Sequence, residues 1–139
     1  MIMKKAVLLI LLLLLPTNSF AYEGSPEEQV ASFFKDLSAG KSGEAIDNLY
    51  SSNPAFEQKK QQLIMLKQQI PMIDTLFGKS IGQEIYVVEH PSPSITRIVK
   101  IDKHELHPMV WEFYFYKPHD KWIVSQGVFN DQFGFLTKK

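Results

Sequence analysis

MVWEFYFYK (residues 109–117) and, after Pro118-His119-Asp120, KWIVSQGVFN (residues 121–130) form the stretch whose reading decides the fold. Side chains alternate between the two faces of a strand. Trp111, Phe113 and Phe115 therefore face one way, and Tyr114 and Tyr116 the other. A short polar turn between two such runs predicts a hairpin. Working backwards, Ser94 to Asp102 alternates Ile95, Arg97, Val99 and Ile101 against Thr96, Ile98 and Lys100. Glu84 to His90 is rich in β-formers. His90-Pro91-Ser92-Pro93 and Lys103 to Pro108 read as the turns between these runs. Four strands joined by short polar turns predict an antiparallel meander.

Upstream of Gly82 the spacing is helical. Ser25-Pro26-Glu27-Glu28 carries a start signal: Ser25 as N-cap, Pro26 in the first turn and Glu28 closing a capping box. Val30, Phe33, Phe34 and Leu37 follow as one apolar stripe, and Gly40 ends it. Ser42 is expected to cap a second, short helix that buries Ile46, Leu49 and Tyr50. Asn53 and Pro54 are expected to open a third and longer one. Its buried face is Phe56, Leu63, Leu66, Ile70, Ile73 and Phe77. Pro71 lies inside it and predicts a kink or a break. Gly78 is the expected stop. Helices first and strands after is an α+β arrangement, about three helices packed on one face of a curved four-stranded antiparallel sheet.

The chain has 139 residues, with 15 basic and 15 acidic side chains. Met1 to Lys5 contains two lysines, Ala6 to Leu15 is an unbroken run of ten apolar residues, and Ser19-Phe20-Ala21 offers small residues at a cleavage site. This is the layout of a secretory signal peptide; its apolar run is shorter than the roughly 20 residues of a membrane-spanning helix. Residues 1–21 are expected to be removed, leaving residues 22–139 as a single soluble domain in a periplasm or outside the cell. No cysteine is present, which excludes disulfides, a thiol nucleophile and acylation at a signal-peptide cysteine. The mature chain is therefore expected to carry no membrane anchor. No basic run exceeds two residues, so no nucleic-acid partner is expected.

Trp111-Glu112-Phe113-Tyr114-Phe115-Tyr116-Lys117-Pro118 followed by Asp120-Lys121-Trp122-Ile123-Val124 resembles the closing hairpin of small exported members of the nuclear transport factor 2-like (cystatin-like) superfamily. The Phe33-Phe34 helix resembles their first helix, and the likeness covers most of Ser25 to Phe135 as architecture. A short strand that the family often carries between its second and third helices has no counterpart here. The resemblance implies a cone-shaped space between helices and sheet. It also implies one of several roles: isomerase, dehydratase, or noncatalytic binding and dimerisation module.

The chemistry is sparse. No nucleophile elbow and no glycine-rich phosphate loop occurs. His104-Glu105-Leu106-His107 spaces its histidines three apart before Pro108, where the zinc-protease pattern needs four on a helix. It reads as a polar hairpin loop, and no metal or cofactor is expected. Arg97 is the single arginine and could clamp an anionic ligand; otherwise its stem covers apolar surface and its head reaches water or Glu112. Glu112 stands between bulky apolar residues. Facing inward it could be a general base, with Tyr114 or Tyr86 donating a hydrogen bond; facing outward it would pair across the sheet with Arg97, which is the favoured reading.

Arg97, Glu112, Tyr114 and Tyr86 are thus the candidate ligand-binding residues, and no catalytic residue is assigned. Tyr114 and Tyr116, with Ile123 and Phe129 beside them, make the second sheet face apolar enough to mark an interface. The expected function is an exported, noncatalytic binding or scaffold domain, dimeric through that face, with a small-molecule ligand or an envelope protein as further partner. The alternatives are a small cone-pocket isomerase or hydratase with Glu112 as base, and an accessory subunit docking another envelope protein. Mass spectrometry of the exported protein is expected to find Tyr22 at the N-terminus. An intact Met1 in a membrane fraction would refute the export reading.

Overall fold

The computed structural model describes residues 21–137. The expected signal peptide therefore lies outside the described residues, apart from Ala21. The order is α1 (Pro26–Ser38), α2 (Ser42–Tyr50), a 3-10 segment (Pro54–Lys59), α3 (Lys60–Phe77), then β1 (Ser80–Ser92), β2 (Ile95–His104), β3 (Pro108–Tyr116) and β4 (Ile123–Asn130), with a 3-10 turn at Gly134–Thr137. The strands form one antiparallel sheet in the order β1-β2-β3-β4. Helices precede the sheet and pack on it, so the chain is α+β. Among the described residues no helix is long and apolar enough to cross a membrane.

Local sequence explains the helix ends. The backbone N–H of Ser25 donates to Glu28 Oε2 at 2.8 Å, and the N–H of Glu28 donates to Ser25 Oγ at 3.2 Å, closing the capping box. Ser42 proves to be the first residue of α2 rather than its cap; Lys41 holds the cap position without a side-chain bond. Asn53 caps as expected, but what it opens is the 3-10 segment: its Oδ1 accepts from the N–H of Ala55 at 3.0 Å. Pro71 sits within α3, which runs unbroken from Lys60 to Phe77. The helix tolerates it because the lost donor lies on an exposed stretch between the buried Ile70 and Ile73.

The core joins α1 to β3. Phe33 is fully buried and meets Trp111, Phe113 and Phe34 edge-on, at ring separations of 5.2, 5.6 and 5.4 Å. Ile46, Leu49, Ile70, Ile73, Ile98, Met109, Phe115 and Val124 complete it. Phe129 packs against Trp111 with ring centres 4.8 Å apart and planes tilted by 38°, on the helix side of the sheet. It therefore belongs to the core and not to the face of Tyr114 and Tyr116, where the alternation had placed it. An irregularity between Tyr114 and Phe115 in the β3–β4 ladder accounts for the difference: it skips one residue of β4 and reverses the phase.

Gln29 and Tyr50 of the helices, with Ser52 and Asn53 of the loop after α2, tie down β4, whose outer edge has no strand partner among the described residues. Gln29 Nε2 donates to the carbonyl of Trp122 at 3.0 Å, Asn53 Nδ2 donates to that of Val124 at 2.8 Å, and the N–H of Val124 donates to Ser52 Oγ at 3.1 Å. Tyr50 donates to the carbonyl of Gly127 at 2.8 Å, and a Cβ at Gly127 would lie 2.8 Å from that hydroxyl oxygen. Burial pushes the Tyr50 phenol up to about 12, with the Gly127 bond working the other way.

Replacing Phe33 with alanine removes the ring on which three others rest. We expect a loss of about 3–5 kcal/mol in urea denaturation. A loss under about 1 kcal/mol would show that α1 is not anchored through this contact.

Candidate functional site

The sheet is not covered evenly. Phe113 and Phe115 of β3 are sealed by the helices. Toward β1 and β2 the helices stand off, and a cavity of about 470 Å³ opens between them and the strands. Leu37, Ile70, Pro71, Ile73 and Trp111 supply apolar wall. Ser38, Ser42, Asp74, Lys79, Ser80, Gln83, Asp102 and His104 supply polar wall.

β2 builds the polar side. Its helix-facing residues are Thr96, Ile98, Lys100, Asp102 and His104, because register pairs Ile98 with Phe113 and Lys100 with Trp111. Asp102 and His104 are both buried. His104 Nε2 lies 3.0 Å from Asp102 Oδ2, and its Nδ1 lies 2.7 Å from the carbonyl oxygen of Gly78. Ser80 Oγ donates to Asp102 Oδ1 at 2.5 Å, and Gln83 Nε2 donates to the same oxygen at 3.2 Å. Asp74 stands 3.5 Å from His104 Nδ1 at the exposed side. Gly78 ends α3 with φ 81°, and a Cβ there would press to 3.0 Å from Glu105. This close turn is what presents the Gly78 carbonyl to His104.

Both ring nitrogens of His104 thus face oxygens, and both oxygens of Asp102 are occupied by donors. The pair is satisfied from within the protein, as buried polar groups must be. Lys100 lies on the same face, its ammonium 4.4 Å from the Phe34 ring centre. Burial lowers its pKa, and the charge of Asp102 works in the opposite direction.

The candidate residues read from sequence lie elsewhere. Arg97, Glu112 and Tyr114 occupy the sheet face turned away from the helices, and none lines the cavity. Arg97 Nη2 and Nε donate to Glu112 Oε2 at 2.6 and 3.1 Å, and its Nη1 donates to Glu89 at 3.0 Å. Desolvation works to lower the Arg97 pKa, but the bonds to Glu112 and Glu89 outweigh it and the net shift is upward. An anionic ligand would have to displace two carboxylates to be clamped here. Tyr114 pairs with Arg97 across the ladder. Tyr86 is apart from them: its hydroxyl donates to the carbonyl of Leu136. β1 and β4 are opposite edges of the sheet, so this bond brings the segment after β4 back to the far edge.

His104 and His107 do not act together. His107 lies between the rings of Phe77 and Phe133, at 4.9 and 5.6 Å, with Nδ1 bonded to the Pro108 carbonyl at 2.7 Å. Among the described residues no group of three or more histidine, aspartate or glutamate side chains is placed to hold a metal ion. Sequence reasoning missed Asp102 and His104 as a pair because it ended β2 at Asp102 and put His104 in the turn. The usable signal was the continuation of the alternation through Lys100, Asp102 and His104.

Comparison with protein-family models, curated proteins and solved structures finds no match.

Asp102→Ala strips the shared acceptor from Ser80, Gln83 and His104, and should cost about 1–3 kcal/mol. Asp102→Asn should cost much less. The His104 ring can keep its Nδ1 bond to Gly78, and the new amide can donate to Nε2 while its oxygen still accepts from Ser80 and Gln83. Equal losses for the two variants in urea denaturation would contradict this wiring.

Proposed function

We propose that the protein is an exported, noncatalytic binding domain of the nuclear transport factor 2-like type, which takes a small molecule between α3 and the helix-facing side of β1, β2 and β3. The observation that carries this reading is the cavity itself. Its volume of about 470 Å³ falls within the roughly 300–1,000 Å³ of small-molecule sites. One side is apolar and the other carries fixed polar groups, the composition such sites have.

Binding is favoured over catalysis by how the two buried titratable groups of the wall, Asp102 and His104, are used. A general base needs an atom free to take a proton from the substrate. His104 spends both ring nitrogens on Gly78 and Asp102, and Asp102 spends both oxygens on Ser80, Gln83 and His104. Glu112, the base of the enzymatic alternative, is bound to Arg97 on the opposite face. Pairing of two copies through that opposite face belongs to the same proposal. Ile95, Tyr116 and Val128 remain exposed there at 36, 44 and 43 %.

The test is a titration of isoleucine-methyl-labelled protein with a mixture of small neutral aromatic compounds, followed by NMR. The methyls of Ile70 and Ile73 should shift, while those of Ile95 and Ile123 stay in place. Unmoved Ile70 and Ile73 signals at millimolar compound would contradict the binding reading. The same sample should sediment as a dimer; a monomer at high micromolar concentration would remove the pairing.

A further inference from the structure

The cavity wall carries four titratable side chains, Asp74, Lys79, Asp102 and His104. Asp102 and His104 are buried and bonded to each other. Asp74 and Lys79 are exposed and of opposite sign. They spring from adjoining backbone: the N–H of Gly78 donates to the carbonyl of Asp74 at 3.0 Å, and Lys79 is the next residue. No ion pair joins them, and Lys79 has no side-chain partner among the described residues. Asp74 stands 3.5 Å from His104 Nδ1, which lies closer to the Gly78 carbonyl, at 2.7 Å. Exposed charges cost little when left to water. What marks these two is their place: one acid and one base, side by side, at the corner of a space with an apolar wall.

We infer that this corner takes the charged head of a free α-amino acid with an apolar side chain: Asp74 accepts from its ammonium group, and Lys79 donates to its carboxylate. The inference rests on the binding reading above and adds the chemistry of the ligand. A simple anion meets Asp74 with its own sign, and a simple cation meets Lys79 likewise. A head that carries both signs is matched at both ends. The side chain has its place too. Ile70 lies one helical turn before Asp74, so hydrocarbon begins directly beside the charged corner. Leu37, Pro71, Ile73 and Trp111 continue it. A space of about 470 Å³ holds a side chain the size of that of leucine.

The two charges have separate tasks, so they separate in a test. Asp74→Asn removes the partner of the ammonium and leaves that of the carboxylate; Lys79→Gln does the reverse. Both positions are exposed, and neither belongs to the buried core.

The experiment titrates L-leucine, 4-methylpentanoate (leucine without its ammonium) and 3-methylbutylamine (leucine without its carboxylate), reading the Ile70 and Ile73 methyls by NMR. Leucine should bind about fivefold tighter than either analogue, the upper range for one exposed ion pair. Asp74→Asn should weaken leucine about fivefold without weakening 4-methylpentanoate. Lys79→Gln should weaken leucine about fivefold without weakening 3-methylbutylamine. A variant that merely misfolds would weaken every compound, and the wild-type series then decides by itself. If either analogue binds as tightly as leucine to the wild type, the inference is overturned. If the neutral aromatic compounds shift the Ile70 and Ile73 methyls but millimolar leucine does not, the inference is overturned and the binding reading stands. If neither shifts them, the binding reading falls and takes the inference with it.

Discussion

Everything else in this fold is arranged around the contact between the inward aromatic row of β3 and the two adjacent phenylalanines of α1. Phe33 meets Trp111 and Phe113 edge-on, and Phe34 meets the same two rings at 5.8 and 6.1 Å. Edge-on aromatic pairs place the positive rim of one ring on the negative face of another. This fixes the angle at which α1 crosses the sheet more firmly than aliphatic packing would. α2 follows α1 after a short turn, with Tyr50 bonded to Gly127 and Asn53 to Val124, so the end of β4 is gathered beneath it. The chain then has α3 left to cover the rest of the sheet.

α3 covers it only in part, and the cavity is the consequence. Phe113 and Phe115 of β3 and Ile98 of β2 are sealed, while Ser80 and Gln83 of β1 and Asp102 and His104 of β2 border open space. That is the physical reason β2 can carry Lys100, Asp102 and His104 on a face where β3 carries Trp111 and Phe113. Each polar group there finds a partner or a ring. Lys100 lies against Phe34, and Asp102 and His104 complete each other with help from Ser80, Gln83 and Gly78. The same uneven coverage leaves the Trp111 indole at the boundary between sealed core and open wall.

Much of the architecture was legible in residue spacing. The capping box at Ser25, the stripe through Phe33 and Phe34, and the period-two run from Trp111 to Tyr116 each depend on local geometry, which a sequence states directly. Pairing of Arg97 with Glu112 was legible too, since each is the one charged side chain in its phase of Ser94 to Asp102 and of Met109 to Lys117. The cavity was not. Asp102 and His104 look like the polar end of a strand and the start of a turn; the alternation of β2 turns them to the helix side, and the standing-off of α3 leaves space in front of them. Conversely, the odd-numbered apolar set of β2 (Ile95, Val99 and Ile101) reads as a core face, yet it lies on the side away from the helices. Phe129 was misplaced for a related reason, because one irregularity in the ladder shifts every later residue of β4. Which face of a two-sided apolar strand meets the helices depends on tertiary packing, and alternation does not encode it.

The central claim is that a preformed space with an apolar lining exists between α3 and the sheet. Diffraction from xenon-pressurised crystals of residues 22–139 tests it directly, because xenon enters apolar cavities without needing a specific chemical partner. The account predicts a xenon atom within contact of Ile70, Ile73 and Trp111, with the Asp102–His104 pair undisturbed behind it. A structure in which α3 has closed onto β2, with those side chains in mutual contact and no xenon between them, would contradict it.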